Sequence, residues 1–271
     1  MSVAVRRTIN AGLVHLVLGI YVIIALFPIV LIIINAFKSR RGIFNDPLAL
    51  PNAKTFSTVG FEKVFTESNF ALFFGNSLVV TIVSLFFVLL FGAMIAWALS
   101  EYDFKGRRLI TLFLAVGIMV PIRLGTVSIL ELMVSLDLVN TLTALVLVYI
   151  AQGLPLAVFI LTEYMAQIPK ELKEAARCDD VSEYKIFFQI IFPLTRPAIA
   201  TVAVFTMIPI WNDLWFPLIL APGEETRTLT LGVQQFIGQY VTDWNSVLAS
   251  LSLAVLPVLV LYVFFSRQLI R

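Results

Sequence analysis

Long charge-free runs dominate the pattern of hydrophobic and polar positions along the chain. Four runs without Asp, Glu, Lys or Arg cover residues 8–37, 68–100, 138–162 and 244–266. Each exceeds the roughly 20 residues that a helix needs to cross the hydrocarbon core of a bilayer. Two further runs carry one charge each, Arg123 and Asp213. The pattern predicts an all-α membrane protein with six spans, at approximately 11–36, 70–99, 109–133, 139–162, 197–222 and 246–266.

Composition supports a single membrane-embedded domain over residues 1–271. Hydrophobic residues make up 60% and charged residues 13% of the chain, and the mean hydropathy is +0.97. Soluble domains carry about 25% charged residues. The net charge of +2 is too small to indicate a nucleic-acid partner. The first run is too long for a signal peptide and no cleavage site stands out after it, so we expect a retained helix.

The distribution of basic residues predicts the orientation in the membrane. Lys and Arg are enriched on the cytoplasmic side of membrane proteins. Placing both termini in the cytoplasm puts the larger number of basic residues there, including those of residues 163–196. Lys38, Arg40 and Arg41 directly follow the first run and favour the opposite orientation. The rule alone therefore leaves the topology partly open.

Residues 163–196 form the longest charge-dense interruption between apolar runs. Pro169 suits a first helical turn, and Lys170–Cys178 contains strong helix formers. Ser182 is a candidate N-cap for a second helix over residues 183–192. Two interpretations remain open on physical grounds. The second helix lies on the membrane surface, or the segment docks a soluble partner.

A sequence motif in this segment resembles the EAA loop of ATP-binding-cassette importer permeases. That motif reads Glu-Ala-Ala, three residues, Gly, nine residues, then Ile-x-Leu-Pro. Here Glu174, Ala175 and Ala176 are followed at matching spacing by Asp180 and by Ile190-x-Phe192-Pro193. The chain departs from the motif at Asp180 and Phe192. Because Asp enters the left-handed backbone region more easily than most residues, we expect the turn at residue 180 to be retained.

The resemblance extends over most of the chain. Asn76-Ser77-Leu78, Pro121 and Trp211-Asn212-Asp213 are similar to the smaller permease subunit of carbohydrate importers of the maltose and glycerol-phosphate type. The resemblance implies six helices in the bacterial inner membrane, with both termini and a coupling loop at 163–196 in the cytoplasm. It also implies a homologous second permease, two ATP-binding-cassette ATPase subunits that bind ATP and Mg, and an extracytoplasmic sugar-binding protein.

The same resemblance assigns contacts to two regions. It implies that the first helix of the coupling loop sits in a groove of the ATPase, with Glu174 as the polar contact and Ala175 and Ala176 as the close-packing face. The full set of coupling candidates is Leu172, Lys173, Glu174, Ala175, Ala176, Arg177 and Asp180. Outer loops are expected at 38–67 and 224–243. In the second loop, the candidates for binding-protein contact are Gly232, Gln234, Gln235 and Gly238. A re-entrant or interfacial connector is the alternative for that loop.

Enzyme signatures are missing from the sequence. There is no Walker motif for ATP, no G-x-S-x-G motif and no metal-ligand cluster, and the only histidine, His15, lies in an apolar run. We therefore expect no catalytic residue, metal or cofactor in this chain. Cys178 is the only cysteine, so no intrachain disulfide forms. An importer of a non-sugar solute and a secondary transporter are the alternative functions.

Polar residues inside the predicted spans are candidates for the transport pathway. Charges within a membrane are costly and usually face protein or a water-filled cavity, which selects Arg123 and Asp213. They either contact substrate or pair with each other to fix helix packing, and snorkelling of Arg123 is a third option. Asn76, Gln152 and Asn212 are weaker candidates because single amides often serve packing. Trp211 and Trp215 either stack on a sugar ring or belong to the core.

Overall fold

A computed structural model describes the backbone of residues 3–238 and 242–269 and the side chains of residues 12–238 and 242–260. Helices account for the regular structure in the described part of the chain, which confirms the all-α prediction. The chain divides into two compact units. The first comprises residues 1–70 and 233–257, and the second comprises residues 71–232 and 258–271.

The first unit contains a long apolar helix and the short helices that follow it. The helices are α1 (Val3–Ala36), α2 (Arg40–Asn45), α3 (Val59–Thr66) and the first half of α13 (Trp244–Leu269). α3 approaches the start of α13 so closely that a Cβ on Gly60 would lie 2.3 Å from the Asn245 carbonyl oxygen. Lys63 donates to Asp243 at 2.7 Å beside this contact. Glycine is therefore required where α3 and α13 meet.

Lys38 is buried in the first unit, with 1% of its surface exposed. Its ammonium donates to Asn35 Oδ1 at 3.0 Å and to the Asp46 carbonyl at 2.8 Å. The Lys38 carbonyl accepts a hydrogen bond from Asn245 Nδ2. Lys38 was one of the basic residues that opposed the predicted orientation. Because its charge is enclosed by protein acceptors, it does not report on the side of the membrane as an exposed lysine does.

The second unit contains the remaining helices. They are α4 (Phe70–Glu101), α5 (Arg107–Met119), α6 (Thr126–Ser135), α7 (Leu142–Ala166), α8 (Lys170–Cys178), α9 (Glu183–Leu194), α10 (Arg196–Asn212), α11 (Trp215–Leu220) and α12 (Leu229–Val233). One apolar cluster joins α4, α7, α8, α9 and α10 around Trp97, Leu161 and Ile186. A second cluster joins α4, α6, α7 and the α10–α11 region around Tyr149 and Phe216.

Among the residues that the structure describes, three helical stretches are long and apolar enough to cross a membrane without a break: Gly12–Ala36, Phe70–Glu101 and Leu142–Ala166. Within the span predicted at 109–133, α5 and the stretch from Ile122 to Ser135 meet at 91°, so this part of the chain is not one continuous helix. Pro121 explains the bend: it lacks an N–H and forces Val120 into an extended conformation, with ψ at 117°. Apolar residues alone do not reveal this change of direction.

The predicted fifth span at 197–222 is also interrupted. α10 ends at Asn212, and Asp213 is extended with ψ at 136° before α11 begins at Trp215. On the other side of α10, α9 contains a π-helical turn over Ile186–Ile191 and meets α10 at 73°. Pro193 follows that turn and removes one helical N–H. The predicted last span, 246–266, lies within α13, whose described apolar part is Trp244–Val260.

Candidate functional site

The helix α8 ends in the turn expected at residue 180. Asp180 has a φ of 53°, in the left-handed region. The Val181 N–H donates to the Ala176 carbonyl at 3.0 Å, and the Asp180 N–H donates to the Arg177 carbonyl at 3.1 Å. This pair of bonds is a Schellman motif, which usually has glycine at the left-handed position. Asp180 therefore adopts the left-handed turn that was expected at the position where the chain departs from the EAA motif.

α8 presents two chemically different faces. Leu172, Glu174 and Ala175 are exposed, together with Asp180 in the following turn. Lys173 and Ala176 are buried within the chain, with 4% and 7% of their surfaces exposed. The expectation that Ala175 and Ala176 form one outward face is therefore wrong. Residues 175 and 176 differ by about 100° around a helix, and Ala176 packs into the cluster around Trp97.

The inner face of α8 is tied to α4 and α9 by an ion-pair network. Lys173 Nζ donates to Glu101 Oε2 at 2.5 Å, and Arg177 donates to Glu101 Oε1 at 2.7 Å. Arg177 also donates to both carboxylate oxygens of Glu183, and the Tyr102 hydroxyl donates to Glu183 Oε2 at 2.6 Å. The two side chains of the Lys173–Glu101 pair are 5% and 11% exposed. Because the pair is largely removed from water, loss of either partner would leave an uncompensated buried charge.

The network also perturbs two proton equilibria. Hydrogen bonds to Glu183 and Glu101 raise the pKa of the Arg177 guanidinium above its ordinary value. Partial burial, followed by the hydrogen bond to Glu183, raises the pKa of the Tyr102 hydroxyl. Both groups keep their protons throughout the physiological pH range.

Arg123 and Asp213 are brought together where the two interrupted spans break. Arg123 lies in a 3₁₀ turn after Pro121, and its guanidinium donates to Asp213 Oδ1 at 3.3 Å. Asp213 Oδ2 accepts from the Tyr149 hydroxyl at 2.9 Å. The backbone N–H groups of Trp215 and Phe216 also donate to the Asp213 carboxylate. Asp213 thus accepts hydrogen bonds from free N–H groups at the start of α11 and from the side chains of Tyr149 and Arg123.

The two charged partners differ in their access to solvent. The Arg123 side chain is 65% exposed, whereas that of Asp213 is 9% exposed. The Arg123 guanidinium lies 5.8 Å from the centre of the Trp215 ring, and the Trp215 indole N–H donates to Thr126 at 3.0 Å. Asp213 has little remaining capacity to accept a ligand hydroxyl. Arg123 retains donors that face outward.

An open cavity of 870 Å³ begins beside Arg123. It lies among α5, α6 and α7. Arg123 and Gln152 contribute long polar side chains to its lining. Gln152, Asn212 and Trp215 are exposed. Trp211 is buried, with 4% of its surface exposed, and its ring meets Phe74 edge to face. The break at Asp213 therefore separates the two tryptophans that the sequence placed one helical turn apart, and Trp211 offers no open face for a sugar.

Asn76 is buried, with 7% of its surface exposed, and its side chain bonds to backbone groups elsewhere in the second unit. Its side-chain amide donates to the carbonyls of Glu225 and Arg227 at 2.8 and 3.0 Å. Ser77 accepts from the Leu229 N–H at 2.8 Å. Gly232 lies against the Phe73 ring so closely that a Cβ would come within 2.4 Å of it. The start of α4 is thereby bonded to residues 224–232, which we name the 224–232 segment.

The other candidates of the second loop lie beyond this segment. Gln234 and Gln235 form an exposed 3₁₀ turn, and Gly238 is exposed. Gln239, part of the same amide-rich sequence, lies outside the described residues. These positions are consistent with a surface loop.

Sequence reasoning missed several partners in both clusters. Glu101 and Glu183 join α4 and α9 to α8, and Tyr149 holds Asp213. Glu101 carried a signal, since it is the acidic residue that ends the charge-free run 68–100. Tyr149 carried none, because an aromatic residue in an apolar helix is typical of a protein core.

Comparisons with known proteins agree with the sequence motifs. A family model described as binding-protein-dependent transport system inner membrane component matches residues 88–271. The chain is 31% identical over 261 residues to the diacetylchitobiose uptake system permease protein NgcG of Streptomyces coelicolor, covering 96% of this chain and 86% of that protein. It is 34% identical over 249 residues to the arabinooligosaccharides transport system permease protein AraQ of Halalkalibacterium halodurans, covering 91% and 88%.

A solved structure shares the fold. It is a chain of a bacterial ABC transporter involved in the import of the acidic polysaccharide alginate, with a TM-score of 0.80 and 21% identity over 98% of both chains. The family and the curated relatives are transport permeases of a multi-pass membrane type, which confirms the resemblance seen in the motifs. Because the family model covers more than half of the residues, the chain belongs to the binding-protein-dependent transport system inner membrane components.

Proposed function

We propose that the chain is the permease subunit of an ATP-driven importer for carbohydrates. The family membership supports an importer that receives its solute from a binding protein. The named solutes of its relatives, diacetylchitobiose and arabinooligosaccharides, favour an oligosaccharide. In this proposal the chain forms half of the translocation pathway with a homologous second permease. Two ATPase subunits bind ATP and Mg, and this chain holds neither.

The observation that carries the coupling proposal is the exposed face of α8. Leu172, Glu174 and Ala175 project from a helix whose opposite face is fixed to α4 and α9 by Lys173, Arg177 and the apolar cluster. A helix that is fixed on one side and free on the other can transmit a push from a docked partner. Glu174 supplies the charged contact and Ala175 the close approach. Lys173, Ala176 and Arg177 hold the helix, and Asp180 ends it.

Substitutions on the exposed face test this coupling surface. Glu174→Gln removes the charge, and Ala175→Trp adds bulk where a partner would approach. We expect both variants to insert into the membrane at the level of the unmodified chain and to lose ATP-dependent uptake and ATPase co-purification. Glu163→Gln is the matched control, because Glu163 is exposed at the end of α7. Normal uptake by both α8 variants would contradict the coupling role.

The proposed pathway runs along the cavity beside Arg123. Arg123, Gln152 and Trp215 provide outward-facing donors and an exposed aromatic ring, the groups that bind sugar hydroxyls and sugar faces in proteins. Asn212 lies next to the same break. Asp213 positions Arg123, whereas Asn76 and Trp211 serve packing. Replacement of Arg123 by Ala is expected to lower uptake without loss of assembly.

The solute class is tested by uptake into vesicles that contain the complete complex. Radiolabelled diacetylchitobiose, arabinooligosaccharides and maltooligosaccharides form the panel, and amino acids are the non-sugar control. We expect uptake of one sugar class only, with loss of uptake when ATP is depleted while ion gradients are clamped. Uptake that follows the ion gradients instead would favour a secondary transporter. ATP-dependent uptake of amino acids alone would contradict the carbohydrate assignment.

In the proposed topology both termini and residues 163–196 face the cytoplasm. The loops at 38–67 and 224–243 then face the binding protein, with Gly232, Gln234, Gln235 and Gly238 in the second loop. Gln234 and Gln235 are exposed and carry adaptable amides. Gly232 supports the loop through its contact with Phe73.

A further inference from the structure

The helix α4 carries polar anchors at its two ends, and these anchors belong to different parts of the second unit. At one end Glu101 is paired with Lys173 and Arg177 of α8. Near the other end Asn76 and Ser77 hold the 224–232 segment. At about 1.5 Å per residue, the stretch from Asn76 to Glu101 measures about 37 Å. One helix therefore joins α8 to a segment about 37 Å away along the helix axis.

The sequence of α4 suits the transmission of movement over that distance. Its 32 residues contain no proline, whereas α1, α7, α10 and α13 contain Pro28, Pro155, Pro209 and Pro257. Prolines remove helical hydrogen bonds and favour kinks. An uninterrupted helix moves as one body more readily than a kinked one.

The contacts at both ends are specific as well as buried. The two oxygens of Glu101 bind different cations of α8, so a displacement of α8 acts on Glu101 through two bonds. Lys173 also lies 5.5 Å from the centre of the Trp97 ring on α4. At the other end, the Asn76 amide is shared by two carbonyls, and Gly232 rests on Phe73. Neither end can slide without breaking buried polar contacts.

We propose that α4 is a rigid strut that links the coupling helix α8 to the 224–232 segment, with Glu101 as the positioning residue at one end and Asn76 and Ser77 at the other. The proposal rests on the proposed function, because it takes α8 as the element that the ATPase moves. It adds the route by which that movement reaches the far end of the second unit. By reciprocity, a partner that binds at the 224–232 segment shifts the position of α8 through the same helix.

The test uses the complete complex, purified through a tag on this chain and reconstituted in lipid vesicles. An environment-sensitive fluorophore is attached to Glu225→Cys in a Cys178→Ser background; the substitution leaves the Glu225 carbonyl that binds Asn76 in place. Addition of ATP, Mg and vanadate traps the ATPases, and the change in fluorescence reports movement of the 224–232 segment. We expect Glu101→Gln and Ser77→Ala each to reduce this change by about fivefold or more.

Matched variants separate transmission from general damage. Asp103→Asn and Ser135→Ala remove similar groups at exposed positions and should leave the response unchanged. Lys173→Arg keeps the cation beside Glu101 and should retain most of the response, whereas Lys173→Met should lose it. ATPase co-purification should be unchanged in the Glu101→Gln complex. Loss of the ATPase from that complex would overturn the proposal, because Glu101 would then serve docking.

The double variant Glu101→Gln with Ser77→Ala gives the sharpest result. Substitutions this far apart normally have additive free-energy effects. If α4 transmits the movement, breaking one end makes the other irrelevant, so the double variant should lose no more than either single variant. Additive losses would refute the strut. If no ATPase co-purifies with the unmodified chain, the proposed function is refuted. If the unmodified complex and the variants show equal fluorescence changes, only the strut is refuted.

Discussion

Replacement of Asp213 by Ala should destabilise the second unit far more than replacement of Arg123 by Ala, although the two residues form one ion pair. Asp213 accepts hydrogen bonds from Tyr149 and from the N–H groups of Trp215 and Phe216, in addition to Arg123. Tyr149 is 2% exposed. In the Asp213→Ala variant its hydroxyl therefore loses its hydrogen-bond acceptor, and no water molecule can reach it as a replacement.

The magnitude follows from the separate contacts. A buried donor left without a partner costs about 1–3 kcal/mol, and loss of a side-chain cap costs about 0.5–2 kcal/mol. Asp213→Ala should therefore cost about 2–5 kcal/mol. The Arg123 side chain is 65% exposed, and an exposed ion pair contributes about 0–1 kcal/mol. Arg123→Ala should accordingly cost less than about 1 kcal/mol.

The assay is reversible unfolding in lipid–detergent mixed micelles, followed for each single variant and for the pair Tyr149→Phe with Asp213→Ala. Tyr149→Phe removes the hydroxyl that would be left unsatisfied. Asp213→Ala should then cost about 1–3 kcal/mol less in the Tyr149→Phe background than alone. Equal costs for Asp213→Ala and Arg123→Ala, or no coupling between residues 149 and 213, would refute this assignment of roles.

Three further predictions concern Gly60 in α3 and the C-terminal end of α8. Gly60→Ala should lower the free energy of unfolding by about 1–3 kcal/mol, because its Cβ meets the Asn245 carbonyl; Gly75→Ala, with open space at its Cβ, should be neutral or stabilising in the same assay. Asp180→Gly should retain uptake and raise stability slightly, since glycine adopts the left-handed φ without strain, and a large loss of uptake would contradict the Schellman assignment. Cys178 is exposed, so an impermeant maleimide should label it in urea-stripped inside-out vesicles and not in right-side-out vesicles; the reverse pattern would invert the proposed topology.

The sequence was sufficient to predict the class of the protein because the relevant signals are local and strong. Uninterrupted apolar runs indicate membrane helices through their length alone. Pro169 and the helix formers that follow it predicted α8 with its observed bounds, Lys170–Cys178, and the Asp at position 180 predicted a left-handed turn. Each of these inferences depends on residues close together in the chain.

The packing of each residue was decided by the tertiary structure. Local sequence could not reveal that Ala176 faces the core while Ala175 faces outward, because both are small helix formers. It offered a pair of Arg123 with Asp213 as one alternative, but it did not reveal that Tyr149 also binds Asp213. It also placed Asp213 inside one span over residues 197–222, where the structure has a break between α10 and α11. Hydrophobicity measures whether a segment can enter a membrane and carries no information on its direction after a proline or a capping carboxylate.

By itself the sequence determined an all-α membrane permease and predicted a helix over Lys170–Cys178, because length, composition and motif spacing are properties of the chain alone. Only the tertiary structure decided that Glu101 binds this helix and that Asn76 turns toward residues 225–227. The physical reason is that a buried polar group is defined by its partner, and these partners lie 72 to 151 residues away along the chain.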